Sequence, residues 1–189
     1  MFGIKRFKTS EQRWQDFETE ALPHTSDLFR IAMLLTRNRD EAEDLVQETL
    51  MQALKSFHRY ELGTNCRAWL AAIMYNLNLK RIQKHQRMKV VDDSEEKLAE
   101  TVPFEPQIPQ GITDEEVIRA LHDVPDGFRQ VVILSDVEEF SYREIATILN
   151  VPIGTVMSRL SRGRKALRLQ LARYANEYGY GKPPKTAAG

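Results

Sequence analysis

The chain has 189 residues, of which 42% are hydrophobic, and this is enough for one ordinary domain or two small ones. Because 27 Lys and Arg balance 27 Asp and Glu, the net charge is zero and a uniformly basic nucleic-acid coat is excluded. The single cysteine, Cys66, permits no internal disulfide and lacks the companions of a zinc site, so we expect no metal and no cofactor. Without a signal-peptide pattern or a membrane-length apolar run, the expected location is the cytoplasm.

Three amphipathic helices are predicted in the N-terminal half, at 24–37, 40–57 and 67–87. Apolar residues recur there at three- and four-residue spacing, which is the period of one helix face. The stripe of the middle helix comprises Ala42, Leu45, Val46, Thr49, Leu50, Ala53, Leu54 and Phe57. The apolar face of the third comprises Trp69, Leu70, Ile73, Met74 and Leu77. Since each helix has one such face, the three can close a common core.

The composition changes sharply after the third helix. Residues 92–111 hold six acids against one lysine, together with three prolines. An acidic, proline-spaced stretch predicts an extended, flexible linker between two domains.

Helical patterning resumes with two capping boxes. Thr113 is followed by Glu116, and Ser141 by Glu144, the spacing at which hydroxyl and carboxylate cap a helix N-terminus together. The first of these helices is predicted to pack through Val117, Ile118 and Leu121. DVPDGF then ends it, and FRQVVILSDV predicts a further, very apolar helix.

The stretch SYREIATILNVPIGTVMSRLSRGRKAL, residues 141–167, predicts a helix-turn-helix. Its first helix is expected to run from Tyr142 to about Leu149. The residues expected to face inward are Tyr142, Ile145, Ala146 and Leu149. Pro152 and Gly154 are expected to form the break, and Thr155 to cap the second helix.

The second helix has one apolar and one polar face. Val156, Leu160, Gly163 and Leu167 share the first. The second holds Ser158, Ser161, Arg162 and Lys165, with Arg159 on one flank and Met157 and Arg164 on the other. This pattern favours a helix that lies in a major groove, and the alternative is a plain helical hairpin.

The neutral total charge hides two basic helices. Residues 67–89 contain six Lys and Arg and no acid, and so do residues 145–176. Two separated basic surfaces suit one partner with a long anionic backbone. One such run is ordinarily a solvated helix face, but two of them favour nucleic acid.

Three segments, taken together, resemble bacterial extracytoplasmic-function (ECF) sigma factors, the group IV sigma factors. RDEAEDLVQETLMQAL looks like the core-polymerase-binding region, RAWLAAIMYNLNLKRI like the −10-reading region, and the helix-turn-helix like the −35-reading region. They follow the family's order and, with the linker, cover roughly 24–174. The resemblance implies an alternative sigma factor that binds core RNA polymerase and directs transcription initiation at −10 and −35 elements without ATP.

The resemblance also implies site residues. The surface that docks on the clamp helices of the polymerase's largest subunit would comprise Asp40, Glu41, Asp44, Gln47 and Glu48. Single-stranded DNA at −10 would meet Asn65, Trp69, Asn76, Lys80, Arg81 and Lys84, with the loop YELGTNCRA as the pocket for a flipped base. Double-stranded DNA at −35 would meet Arg143, Met157, Ser158, Arg159, Ser161, Arg162 and Lys165. Met157 stands where many members carry Lys or Arg, so an apolar contact replaces a charged one there.

We therefore expect an all-α chain of two small helical domains. The predicted bounds are 1–90 for the polymerase and −10 domain, 91–112 for the linker, 113–178 for the −35 domain and 179–189 for a disordered tail. GTVMSRL, RGR and YANEYGY resemble the subgroup held by zinc-containing, thiol-sensing anti-sigma factors, so an anti-sigma partner is expected. The alternative function is an autonomous helix-turn-helix regulator. No phosphate loop, nucleophile elbow or HExxH motif occurs, so no enzyme is expected.

Overall fold

The computed structural model describes residues 9–86 and 113–178, and the regular elements within these ranges are all helical. The predicted linker and C-terminal tail lie outside the described residues. The chain divides into two compact units, and each is described by itself. The all-helical prediction is confirmed for the described part of the chain.

The N-terminal domain contains four α-helices: α1 Ser10–Glu20, α2 Thr25–Thr36, α3 Arg39–Ser56 and α4 Cys66–Gln86. Short 3-10 turns, Leu22–His24 and Phe57–Arg59, follow α1 and α3. The first helix was not predicted from the sequence. It begins at a capping box in which Thr9 and Gln12 exchange side-chain and backbone hydrogen bonds.

A tight junction separates α2 from α3. Arg37 ends α2 in the left-handed conformation, with φ 63°. Asn38 caps α3, since its side-chain oxygen accepts from the backbone N–H of Asp40 at 2.8 Å and of Glu41 at 3.1 Å. These two acids then lie in the first turn of α3, where the helix dipole favours negative charge.

The core of the N-terminal domain forms where α2, α3 and α4 meet. The stripe predicted on α3 is buried apart from Leu50, which is half-buried, and Leu54, which is 42% exposed. On α4 the buried face is rotated by about one residue from the prediction, so that Trp69, Ile73 and Leu77 are only half-buried. The face that is buried comprises Leu70, Ala71, Met74, Tyr75 and Asn78. Because of this rotation, Asn78 belongs to the buried stripe, which apolar periodicity alone does not predict.

The C-terminal domain contains α5 Asp114–His122, α6 Asp126–Val132, a π-helical turn Ile133–Val137, α7 Tyr142–Leu149 and α8 Ile153–Tyr178. Both predicted capping boxes are present. Thr113 N–H donates to the Glu116 carboxylate at 2.8 Å, and Ser141 N–H to the Glu144 carboxylate at the same distance. Glu116 is buried, whereas Glu144 is half-buried.

Two predictions about inward-facing residues in this domain are wrong. Val117 and Ile118 are 37% and 43% exposed, because α5 turns Ala120 and Leu121 into the core instead. Tyr142 is 39% exposed. The buried residues of α7 are Ile145 and Ile148, a spacing of three that the sequence also allows.

The turn between α7 and α8 also differs from the prediction. Asn150, with φ 52°, supplies the left-handed residue, which a short polar side chain tolerates better than most. Because α8 begins at Ile153, Gly154 and Thr155 lie inside its first turn, and Thr155 is not the cap. Its backbone N–H donates to the Pro152 carbonyl at 2.9 Å.

Close packing at Gly163 sets the position of α8. A Cβ at this glycine would lie 2.7 Å from the Val132 side chain and 3.1 Å from the Phe128 carbonyl oxygen. Only a residue without a side chain therefore lets α6 approach α8 this closely. Val156, Leu160 and Gly163 are buried as predicted, and Leu167 is half-buried.

Candidate functional site

The acidic surface of α3 is exposed along its whole length. It comprises Asp40, Glu41, Asp44, Gln47 and Glu48, all on the side away from the buried stripe. Asp40 and Glu41 also stabilise α3, because their negative charges lie at the positive end of the helix dipole. Asp44 and Gln47 have no such local role, so their exposure leaves them available to a partner.

An open apolar groove runs beside this acidic surface, and the sequence reasoning missed it. Phe29 of α2 and Val46 and Leu50 of α3 line it, with Gln47 at its edge. Apolar periodicity predicted that Val46 and Leu50 belong to the core, and both do face α2. The groove exists because α2 leaves part of this apolar face of α3 uncovered. A partner at Gln47 would therefore also find apolar surface.

The exposed face of α4 carries a line of polar and basic residues. Asn76, Lys80 and Lys84 are exposed and succeed one another at intervals of four, so they share one side of the helix. Lys80 and Lys84 make no ion pair within the described part of the chain. An amide followed by two unpaired cations can meet a base edge and the backbone next to it.

Arg81 is held differently from these lysines. Its guanidinium donates to the Glu48 carboxylate at 2.7 and 3.2 Å, and to the Glu41 carbonyl oxygen at 3.4 Å. The arginine predicted to meet DNA and the glutamate predicted to meet polymerase are therefore ion-paired with each other across α3 and α4. The sequence does not predict this ion pair, because 33 residues separate Arg81 from Glu48.

Trp69 belongs to an aromatic cluster near the start of α4. Its ring centroid lies 5.0 Å from that of Tyr60 and 6.1 Å from that of Phe57. The cluster continues to Phe17 of α1, which meets Phe57 edge-on at 5.3 Å. Trp69 remains half-buried, so part of its side chain is accessible. Trp69 is thus both a packing residue and a surface residue.

The loop before α4 is a compact turn. Gly63 has φ 79°, a conformation that favours glycine. Asn65 caps α4, since its side-chain oxygen accepts from the Ala68 N–H at 3.0 Å. The predicted DNA contact at Asn65 therefore has a structural role as well.

Cys66 is buried directly after this loop. Burial raises the pKa of its thiol to about 11, although a hydrogen bond with Tyr60 opposes the shift. At neutral pH the sulfur is therefore protonated and a poor nucleophile or metal ligand. Among the described residues, no group of His, Cys, Asp and Glu could hold a metal ion.

The polar face of α8 is exposed as predicted at Ser158, Ser161 and Arg162, whereas Arg159 and Lys165 are half-buried. Met157 is 55% exposed beside them, and Arg143 lies on the surface of α7.

The Ser158 hydroxyl donates to the Thr155 carbonyl oxygen at 3.1 Å, so it can offer a ligand only its acceptor lone pairs. Arg162 makes no ion pair within the described ranges, which leaves its guanidinium available to a guanine or a phosphate.

Arg164, two residues further on, is neutralised within the domain. Its guanidinium donates to both carboxylate oxygens of Asp136, at 2.6 and 2.9 Å. Burial would raise the pKa of Asp136, but hydrogen bonds from Arg164 and Ser135 lower it overall. The pKa of Arg164 is raised, first by Asp136 and also by the hydroxyl of Tyr142.

Comparison with known proteins places both domains in one family. The family model for Sigma-70 region 2 matches residues 22–88, and that for Sigma-70 region 4 matches residues 114–167. The chain is 36% identical over 159 residues to the ECF RNA polymerase sigma factor SigE of Mycolicibacterium smegmatis, covering 82% of this chain and 61% of that protein. It is 34% identical to EcfG of Rhodopseudomonas palustris, covering 78% of this chain and 81% of that one.

A solved structure gives the same result. The sigma factor RpoE of Bartonella quintana, in complex with the anti-sigma factor NepR, superposes with a TM-score of 0.66 and 34% identity. The match covers 84% of this chain and 98% of that one.

The fold and the two basic surfaces define a two-domain, helix-turn-helix DNA-binding protein. The chain belongs to the ECF RNA polymerase sigma factor family. It is accordingly a transcription initiation factor that acts with RNA polymerase at promoters, neither an enzyme by itself nor an autonomous regulator. No helix among the described residues is long and apolar enough to cross a membrane.

Proposed function

We propose that this chain docks on core RNA polymerase through α3 and reads the two promoter elements with α4 and α8. The observation that carries the proposal is the distribution of exposed charge. Asp44 and Gln47 lie on one element, Asn76 with Lys80 on the next, and Arg162 on the helix-turn-helix, all exposed and all within the matched regions. One chain thereby presents an acidic surface to a protein and two basic surfaces to a nucleic acid.

The polymerase surface would comprise Asp40, Glu41, Asp44, Gln47 and Glu48. An acidic and amide-bearing helix face suits the clamp helices of the largest subunit if these are basic, because opposite potentials attract and orient the two partners. The groove formed by Phe29, Val46 and Leu50 adds an apolar anchor beside this charge.

The −10 surface would read single-stranded DNA. Asn76 can donate to and accept from a base edge, and Lys80 and Lys84 can hold the phosphates beyond it. Trp69 lies next to the loop that we propose receives a flipped base. Unstacking a base costs a few kcal/mol, and binding in that pocket would offset the cost, so opening proceeds without ATP.

The −35 surface would lie in the major groove of double-stranded DNA. Arg162 is the residue best placed to discriminate a base, because its guanidinium is exposed and without an ion-pair partner in the described part of the chain. Ser161 and Arg159 flank it, Arg143 can approach from α7, and Lys165 lies farther along α8, where phosphate contacts are expected. Met157 offers an apolar surface to a thymine methyl group.

An anti-sigma factor would hold the chain inactive in the cell, where we expect it in the cytoplasm. The RpoE relative was solved with such a partner, which supports this regulation. The finer proposal is a zinc-containing, thiol-sensing anti-sigma factor. It depends on GTVMSRL and RGR, within residues 154–164, and on YANEYGY, whose end lies outside the described residues. Measuring zinc in the purified complex, and its dissociation by a thiol oxidant, tests this proposal. A zinc-free complex that withstands oxidant contradicts it.

The decisive experiment is in vitro transcription with purified core RNA polymerase and genomic DNA fragments. We expect discrete start sites that share a −10 and a −35 element and that require this chain. A folded chain that binds core polymerase yet yields no specific start site would refute promoter recognition. The variant Asp44→Ala is expected to weaken core binding without altering thermal unfolding, and Asp114→Ala, on exposed surface of the other domain, is its matched control.

A further inference from the structure

The loop between α3 and α4 is closed by one tyrosine hydroxyl. Tyr60 Oη lies 2.8 Å from the Thr64 carbonyl oxygen, across the turn that contains Gly63. Thr64 in turn donates from its hydroxyl to the Glu61 carbonyl oxygen at 2.7 Å. Side chains thus fix the ends of an otherwise exposed loop to each other.

The position of the Tyr60 ring does not depend on that hydroxyl. The ring is stacked on Phe57 at 5.4 Å and lies 5.0 Å from Trp69, and the residue is 8% exposed. Apolar packing therefore holds the ring. The hydroxyl is not needed to hold the ring, and its hydrogen bond orients the loop backbone instead.

The same hydroxyl links the loop to α1. Tyr60 Oη lies 3.1 Å from a carboxylate oxygen of Glu20, the last residue of that helix. Phe17, one turn earlier in α1, meets Phe57 beneath the ring. The α1 helix lies outside residues 22–88, which match the family's region 2. The Tyr60 hydroxyl thus contacts both the loop inside the matched region and a helix outside it.

Tyr60 Oη carries one proton, for which the Thr64 carbonyl and the Glu20 carboxylate are both acceptors, and it also makes a hydrogen bond with the Cys66 thiol. The contact with the Thr64 carbonyl is the shorter, so we assign the proton to it, and Glu20 competes for it. Burial raises the pKa of Tyr60 to about 12, the side chain of Thr64 opposes the shift, and Glu20 adds to it. The hydroxyl therefore stays protonated and able to donate at physiological pH.

We propose that Tyr60 is a positioning residue for −10 recognition. Its hydroxyl holds the Thr64 carbonyl, and thereby the shape of the loop that receives the flipped base, while Glu20 of α1 competes for the same proton. Tyr60 itself is too buried to contact DNA, so it acts through the loop. The inference rests on the proposed function, in which this loop and Asn76 form the −10 site.

The test uses Tyr60→Phe in the full chain with core RNA polymerase. Transcription is measured from two promoter libraries, one randomised at the −10 element and one at the −35 element. Loss of one hydrogen bond that shapes the loop is expected to reduce discrimination at the −10 element by about threefold to tenfold. The −35 profile and the affinity for core polymerase are expected to remain unchanged, because α8 and the acidic surface of α3 are untouched.

Two further variants act as controls. Tyr174→Phe removes a hydroxyl that donates to Asp123 at 2.8 Å in the other domain, and it is expected to leave the −10 profile unchanged. Glu20→Gln keeps a polar partner and replaces the competing acceptor with an amide that can donate to Tyr60 Oη. It is therefore expected to preserve −10 discrimination where Tyr60→Phe loses it.

The outcomes separate the inference from the proposed function. If Asn76→Ala changes the −10 profile and Tyr60→Phe does not, the inference is wrong and the −10 site stands. If neither variant changes it, the proposed −10 site itself fails. If Tyr60→Phe lowers activity equally on every member of both libraries, its role is merely structural and the inference is again wrong.

Discussion

Both basic helices are tied to their domains by ion pairs, but α8 also depends on close contact at a glycine. In the N-terminal domain, α4 is tied to its neighbours by ion pairs, Arg81 with Glu48 at 2.7 Å and Arg67 with Asp27 at 3.4 Å. In the C-terminal domain, α8 is set by van der Waals contact at Gly163 and by the pair between Arg164 and Asp136.

The ion pairs on these two helices bear on how a basic surface is inferred from sequence. An acid-free run of sequence does not give an acid-free surface, because acids from other elements neutralise some of its arginines. The arginines and lysines without an ion-pair partner among the described residues, such as Lys80, Lys84 and Arg162, are the better candidates for DNA contact. The four predictions below test this distinction, from the largest expected effect to the smallest.

The first prediction separates an unpaired from a paired arginine on the same helix. Arg162→Ala is expected to cost about 1–3 kcal/mol at one base pair of the −35 element, because a base-reading guanidinium is lost. Binding to a −35 library in the presence of core polymerase measures the effect. Arg164→Ala is the matched control and should lower thermal stability while leaving base preference unchanged. An equal loss at every position after Arg162→Ala would assign that residue to phosphate instead.

The second prediction tests the contact that sets α8. Gly163→Ala is expected to destabilise the C-terminal domain by about 1–2 kcal/mol, since overpacking outweighs the gain in helix propensity. Gly154→Ala, on the same helix, has no atom within 4 Å of its new Cβ and should stabilise by about 0.5 kcal/mol. Thermal unfolding of both variants measures the difference. Equal shifts in melting temperature would contradict the role of Gly163.

The third prediction concerns the ion pair between Arg81 and Glu48. A double-mutant cycle of Arg81→Ala and Glu48→Ala is expected to give a coupling free energy of unfolding of up to about 1 kcal/mol at low salt, because the pair is partly exposed. High salt should reduce it. Lys84→Ala replaces Arg81→Ala in the control cycle and should show no coupling with Glu48. Coupling that is insensitive to salt would mean that packing, rather than charge, joins the two residues.

The smallest expected effect is a pH dependence in the C-terminal domain. The pKa of Asp136 is lowered in the folded state, so its contribution to stability is present above the unfolded value near 3.9 and is lost as the pH falls through the folded value. Asp136→Asn should therefore lower the melting temperature slightly at pH 7, and this deficit should shrink as the pH falls through the folded value. Asp44→Asn, which changes an exposed acid in the other domain, serves as the control. A deficit that does not change with pH would exclude the ion pair as its cause.

Much of the fold follows from local sequence signals. The apolar stripe of α3, both predicted capping boxes and the packed face of α8 each depend on residues three or four apart. The missed helix α1 has a weaker signal, because its apolar residues are few and its Thr9–Gln12 box uses an amide. Tyr142 and the α5 residues Val117 and Ile118 were misplaced because periodicity gives a face but not the neighbour against which that face packs.

The residues of the candidate site likewise include some that the sequence predicts and some that it does not. Residue type and spacing on one helix were sufficient to place Asp44 and Arg162 on exposed polar faces, and the family resemblance selected Asn76. They were not sufficient for Asn65, which caps a helix, or for Arg81, which is paired with an acid from α3. The contact between Tyr60 and Glu20 spans 40 residues of sequence and has no local signature.

The sequence by itself determined the helical class, the helix-turn-helix and the likeness to ECF sigma factors, because these depend on periodicity and on motifs within single elements. Only the tertiary structure decided which charges remain available to a partner, why residue 163 is glycine and how α1 reaches the −10 loop. The physical reason is that ion pairs, close backbone approach and side-chain hydrogen bonds join residues distant in sequence, and their geometry exists only after the helices have packed.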